Sequence, residues 1–265
     1  MFENQERSKK SLQEIPYSIN MAKIIDGKKI ADKILKKNES KIKEKKLKLK
    51  MSAILVGNSP VSLSYIFRKK QACRQYGIDF SLYQFPKKVS QKKLCREIKK
   101  ISKKSSGVVI QLPLPFGFEV QKILNIIPEK KDIDFLSEIN SGKFYNGNFS
   151  VLPPVVGAVN YILKENKISI KNKNIVLIGY GRLVGKPLSV WFASQGATVS
   201  IINKSTRNIS FFTRKADVLI SGAGKPNLIK GNMVKKGIVA IDAGTGFLKG
   251  KICLLYTSPS PRDRT

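Results

Sequence analysis

Between residues 21 and 252 the chain alternates short apolar runs with longer stretches that carry one apolar face. Residues 51–56 (MSAILV) and 107–111 (GVVIQ) are apolar without alternation, as expected of strands buried on both faces of a parallel sheet. Residues 80–85 read as a further strand. Helical spacing fills the intervals, mainly over 24–50, then over 61–76 (closed by Gly77) and 91–103. A connecting helix is predicted over 155–164. A second series follows: strand 175–178, helix 188–195, and strands 198–202, 217–220 and 238–242. Such alternation predicts an α/β protein of two α/β domains, residues 21–150 and 151–253. The second reads as a Rossmann-like dinucleotide-binding domain, and the inter-domain cleft is the default binding site. Residues 1–20 are polar and aperiodic, and are expected to be a disordered extension.

The segment NIVLIGYGRLVGKP (174–187) is a strand, a glycine turn and a helix start. Gly179, Gly181 and Gly185 let the backbone approach a pyrophosphate, which the first amides of a helix stabilise. Tyr180 and Arg182 lie between them. The spacing is G-x-G-x-x-x-G rather than G-x-G-x-x-G, so the placement between strand and helix carries much of the signal. Strand 198–202 leads into Asn203-Lys204-Ser205-Thr206-Arg207. No carboxylate stands there for the ribose hydroxyls of NAD, whereas Lys204 and Ser205 suit a 2′-phosphate, so NADP is the expected cofactor. A basic loop in a basic protein would look the same.

Tyr65 and Lys69 stand one turn apart if 61–76 is helical, a phenol and an amine able to exchange protons in a cleft. An exposed helix pair would show the same spacing. Gln111 closes an apolar strand before Pro113 and Pro115, at the carboxyl end where open α/β sheets place ligand contacts. Asp132 and Asp134 put two carboxylates in one short loop.

Composition narrows the chemistry. The chain has no histidine, which excludes Ser-His-Asp and Cys-His systems and histidine-bearing metal motifs, and no metal is expected. Its 3 cysteines (Cys73, Cys95, Cys253) are widely spaced and match neither a disulfide frame nor a zinc knuckle, as in a reducing cytoplasm. The formal net charge is +32. It is spread along the chain; even the densest patch, residues 36–50, keeps a partial apolar stripe, the pattern of a solvated helix face rather than a specific nucleic-acid site. No apolar run approaches the roughly 20 residues of a membrane helix, and no secretory apolar core precedes residue 20.

Taken in order, V-G-x-x-P-x-S-x-x-Y-x-x-x-K from Val56, Q-L-P-L-P from Gln111, P-x-K-K-D-I-D from Pro128 and V-G-K-P from Val184 resemble one family. It is the bifunctional methylenetetrahydrofolate dehydrogenase/methenyltetrahydrofolate cyclohydrolase family, and the likeness runs from Met21 to Ile252. The resemblance implies NADP+-dependent oxidation of methylenetetrahydrofolate, then hydrolysis to 10-formyltetrahydrofolate. It makes Lys69 the general acid/base and places Tyr65 against the folate. It has Gln111 hydrogen-bond near Lys69 and keep it usable as a base, and Asp134 accept from the pterin amino-pyrimidine edge. It further implies a homodimer with tetrahydrofolate as one-carbon carrier.

Several positions depart from the family pattern. Phe135 stands where glycine is usual, and Leu152-Pro153-Pro154-Val155-Val156-Gly157 stands where P-C-T-P-x-G is usual, which loses a threonine hydroxyl. Tyr180-Gly181 replaces Arg-Ser, and Asn203-Lys204 replaces His-Ser, so Arg182 and Lys204 are the candidate substitutes at the nucleotide. After Ile252 the family continues with a G-D-V segment, a folate-contacting P-V-P-G-G-V-G loop and a helix returning to the first domain. Here Cys253 leads into residues 254–265, a Pro/Ser/Arg tail that reads as foreign cloning-derived sequence. Loss of that helix would uncover apolar surface and weaken the chain. A monofunctional cyclohydrolase, or a silent NADP- or RNA-binding protein of the same fold, remains an alternative.

Overall fold

The computed structural model describes residues 23–253 except 226, 245, 249 and 250. The expected extension and the expected foreign tail both lie outside the described residues.

The helix predicted over 24–50 stops early. It runs Gly27–Glu44 (α1), started by Asp26, whose Oδ1 accepts from the Lys29 amide at 3.0 Å. Lys46 then turns left-handed at φ +48, and the chain enters β1 (Lys50–Val56). Lysines favour the helix, but Lys50 is already bound into the sheet opposite Asp79. α2 is Pro60–Gln75, β2 is Asp79–Phe85, α3 is Gln91–Lys103 and β3 is Gly107–Ile110. The three strands form a parallel sheet ordered β2-β1-β3. β1 is central and mostly buried, as its unbroken apolar run requires. Ile54 and Ile110 of the sheet pack with Leu94 and Ile98 of α3 in one core.

Beyond β3 the loop of residues 129–137 folds back onto the sheet. Val108 bridges Asp132 in parallel, and a Cβ on Gly107 would meet Ile133 Cγ2 at 2.8 Å. Only glycine permits this approach, and it sets the aspartate loop beside β3. Three short helices had no counterpart in the pattern of apolar positions: α4 (Val120–Leu124), α5 (Glu138–Tyr145) and, later, α8 (Ile209–Thr213).

α6 is Pro154–Glu165, β4 Asn174–Ile178, α7 Gly185–Ser194, β5 Thr198–Ile202, α8 Ile209–Thr213, β6 Val218–Ser221 and β7 Val239–Asp242. The second sheet is parallel, ordered β5-β4-β6-β7, with a core on each face. β8 (Gly246–Leu248) and β9 (Lys251–Cys253) form a separate antiparallel pair. Among the described residues no helix is long and apolar enough to cross a membrane.

Candidate active site

Pro60 opens α2 at its first turn, where its missing N–H costs no hydrogen bond. The helix buries Ser62, Ile66 and Cys73, which leaves Tyr65 and Lys69 half-buried one turn apart. Lys69 Nζ lies 3.6 Å from Asp134 Oδ2, with side-chain exposures of 29% and 26%. The two residues come from separate sequence blocks, and the fold over β3 brings them together.

The preceding aspartate does a different job. Asp132 is 3% exposed and accepts from the Leu136 amide at 3.2 Å, the Ser137 amide at 2.8 Å and Asn140 Nδ2 at 3.0 Å. It ties the loop into a closed turn, and Phe135 sits in that turn at φ +57. This left-handed value accounts for glycine at the corresponding family position and strains an aromatic residue. Burial pushes the Asp134 carboxyl above its ordinary value; the Lys69 charge opposes the shift, and the Asp132 charge adds to it.

Gln111 follows β3, its amide N–H bonded to the Ile54 carbonyl at 2.8 Å. Its side-chain Nε2 donates to the Leu112 carbonyl at 3.0 Å, and its Oε1 is buried without a partner. Neither end of the Gln111 amide bonds Lys69, whose ammonium pairs with Asp134. The Leu112–Pro113 peptide is cis. A depression of about 520 Å³, lined by Gly57, Asn58, Gln84, Phe85, Pro86 and Lys87, opens at the carboxyl ends of β1 and β2.

In the second sheet Gly179 leaves β4 at φ +95, its amide donating to the Ile202 carbonyl at 2.7 Å. A Cβ on Gly185 would lie 2.0 Å from the Gly179 carbonyl oxygen, so no side chain fits where α7 begins. α7 starts at Gly185, three residues before the expected start, and takes Pro187 into its first turn.

Two families of observations from outside the chain agree with this geometry. Residues 25–134 match the tetrahydrofolate dehydrogenase/cyclohydrolase catalytic domain, and residues 153–254 match the NAD(P)-binding domain of the same enzymes. The bifunctional protein FolD of Hydrogenobaculum sp. (strain Y04AAS1) is 38% identical over 233 residues, covering 86% of this chain and 84% of that protein. The chain belongs to the tetrahydrofolate dehydrogenase/cyclohydrolase family. The crystal structure of the bifunctional FolD enzyme from Campylobacter jejuni superposes with a TM-score of 0.80 at 34% identity, covering 86% of this chain and 82% of that one. The Trypanosoma brucei enzyme, solved with NADP cofactor and inhibitor, gives 0.82 at 27% identity, covering 88% and 84%.

The tetrahydrofolate dehydrogenase/cyclohydrolase fold thus puts Tyr65, Lys69 and Asp134 at one place and the glycine turn at another. Gly181 is exposed and accepts from the Lys186 amide at 3.1 Å. The Lys186 ammonium lies 5.6 Å from the Tyr180 ring centroid. Arg182 does not stay within the turn: its Nη1 donates to Gln121 Oε1 at 2.8 Å. Lys204 and Ser205 are exposed on the loop after β5, where the Ser205 amide donates to Asn203 Oδ1 at 2.9 Å. Gln121 belongs to no motif, and the sequence carries no signal for it.

Proposed function

We propose that the chain oxidises 5,10-methylenetetrahydrofolate to 5,10-methenyltetrahydrofolate with NADP+ and hydrolyses the product to 10-formyltetrahydrofolate. The observation that carries this reading is the half-buried Lys69–Asp134 pair, with Tyr65 one turn away on α2. Asp134 accepts the paired N–H donors of the amino-pyrimidine edge, a task for which an ionised carboxylate is suited. Tyr65 covers the folate and orients it against Lys69. Lys69 takes a proton from the water that adds to the cationic methenyl carbon, then returns one to N5 as the carbon–N5 bond breaks. The formyl group stays on N10, and one proton is released overall. Gln111 Oε1, buried with no partner, is an acceptor available to the bound folate or to Lys69 as it moves.

The chain's own residues also fit the dinucleotide. Gly179 leaves β4 left-handed and Gly185 packs directly against its carbonyl, so the tight turn brings the N-terminus of α7, a favourable place for phosphate, to the carboxyl end of β4. Arg182, Lys204 and Ser205 are the residues that would hold phosphate, with Tyr180 beside them. When bound, NADP+ supplies the hydride acceptor. Cytoplasmic location, a homodimer and service to purine biosynthesis are parts of the same proposal, supported by family membership.

Purified chain given methylenetetrahydrofolate and NADP+ is expected to form methenyl absorbance that then decays. Lys69→Met is expected to abolish the decay while NADP+ binding persists. Retained hydrolysis removes Lys69 from its role, and hydrolysis without any NADP+-dependent step leaves a cyclohydrolase alone.

A further inference from the structure

Gln121, on the short helix α4, uses both ends of its amide. Nε2 donates to the Leu136 carbonyl at 3.1 Å and to Asn125 Oδ1 at 3.0 Å, while Oε1 accepts from Arg182 Nη1 at 2.8 Å. One partner belongs to the Asp134 loop and the other to the glycine turn. Leu136 is two residues beyond Asp134, and the left-handed Phe135 stands between them. A bulky residue keeps such a conformation only where its surroundings over-determine it. Leu136 is clamped accordingly, its amide by Asp132 and its carbonyl by Gln121. Arg182 belongs to the glycine turn between β4 and α7. A guanidinium has five N–H donors, so Arg182 can hold Gln121 through Nη1 and still present donors to a phosphate.

We propose that Gln121 is a positioning residue that ties the Asp134 loop to the dinucleotide turn, so that nucleotide binding tightens the folate site. The inference rests on the functional reading above. A nucleotide phosphate on Arg182 orders the arginine, the arginine orders the Gln121 amide, and the amide steadies the carbonyl that follows the strained residue. Such a link is reciprocal: NADP+ lowers the folate dissociation constant by the factor by which folate lowers that of NADP+.

Hydrolysis of methenyltetrahydrofolate consumes no nucleotide and therefore reads the link directly. Its KM is measured on the full chain without and with saturating NADP+. In the wild type NADP+ is expected to lower KM by about fivefold or more. Gln121→Leu loses both ends of the link, and Gln121→Glu keeps an acceptor for Arg182 but loses the donor to Leu136. Both are expected to bring the KM ratio to about one with kcat within about twofold, and Gln121→Glu to bind NADP+ alone as the wild type does. A merely structural role would raise KM and leave the ratio as it was. A wild-type ratio of one, or a wild-type ratio retained in either variant, overturns the inference and leaves the functional reading standing. A wild-type chain that hydrolyses no methenyltetrahydrofolate overturns both.

Discussion

In the proposed function Asp134 accepts from a pterin as an ionised carboxylate, yet it stands where ionisation is disfavoured. Burial is the largest cause of its raised pKa, and the Lys69 ammonium at 3.6 Å only partly opposes it. The folded chain therefore holds the Asp134 proton at pH values where the unfolded chain, near the ordinary 3.8, has lost it. The stability this group contributes is complete below that value and is lost as pH rises through the folded value. At neutral pH the ionised carboxylate weighs against the fold. Asp134→Asn is expected to raise the melting temperature at neutral pH, by a margin that shrinks on acidification and vanishes below the ordinary aspartate value, while folate turnover is lost. Thermal melts across that range check the first part and folate KM the second; a margin independent of pH contradicts the burial argument. At this scale the sequence was legible wherever one residue type has one physical role. Gly77 closes α2 as expected, at φ +71, whereas the left-handed φ +57 of Phe135 was not read from its place in a glycine position. The pairing of Lys69 with Asp134 was not legible, because it depends on how the 129–137 loop packs on β3.

Several elements were readable to within a residue or so, α3 and β5 among them, but α1, the longest, ends six residues before its lysine-rich pattern does. α4 and α8 have five residues each and α5 has eight, too short for a 3.6-residue period to stand out. The start of α7 was placed three residues late for a different reason. Gly185 is a poor helix former in isolation, but here its missing side chain is what lets the helix begin against the end of β4. Gly185→Ala would put a Cβ against the Gly179 carbonyl and the Tyr180 Cα, both backbone, so the turn itself must open. Overpacking of this kind costs about 2 kcal/mol. The variant is expected to show a lower denaturant midpoint and weakened NADP+ binding, with methenyltetrahydrofolate hydrolysis in the absence of nucleotide near wild type. Undiminished NADP+ affinity would remove the turn from the cofactor site.

Across the whole molecule the two sheets are not joined by a bare linker. Lys33 of α1 pairs with Glu165 of α6 at 2.7 Å, an exposed bridge that solvent screens and that contributes little. Phe144 is the stronger tie. It lies on α5, within residues that the apolar pattern assigns to the first domain. Its side chain is 5% exposed and packs in the second core with Val156, Val159 and Leu163, 5.0 Å from the Phe149 ring. The sequence could not show this, since an apolar residue on a short helix carries no mark of which core receives it. The chain offers a direct reporter, because its 1 tryptophan, Trp191, is buried in that same second core. Truncating a buried phenylalanine costs about 3–5 kcal/mol through lost transfer energy and the cavity left behind. Phe144→Ala is therefore expected to lower the denaturant midpoint of Trp191 fluorescence by a comparable free energy. Ala substitution of Leu94, fully buried in the first core, is expected to move that fluorescence transition less than it moves loss of helix signal. A Trp191 transition indifferent to Phe144→Ala would assign α5 energetically to the first sheet and leave polar contacts such as Lys33–Glu165 and Arg182–Gln121 as the ties between the two halves.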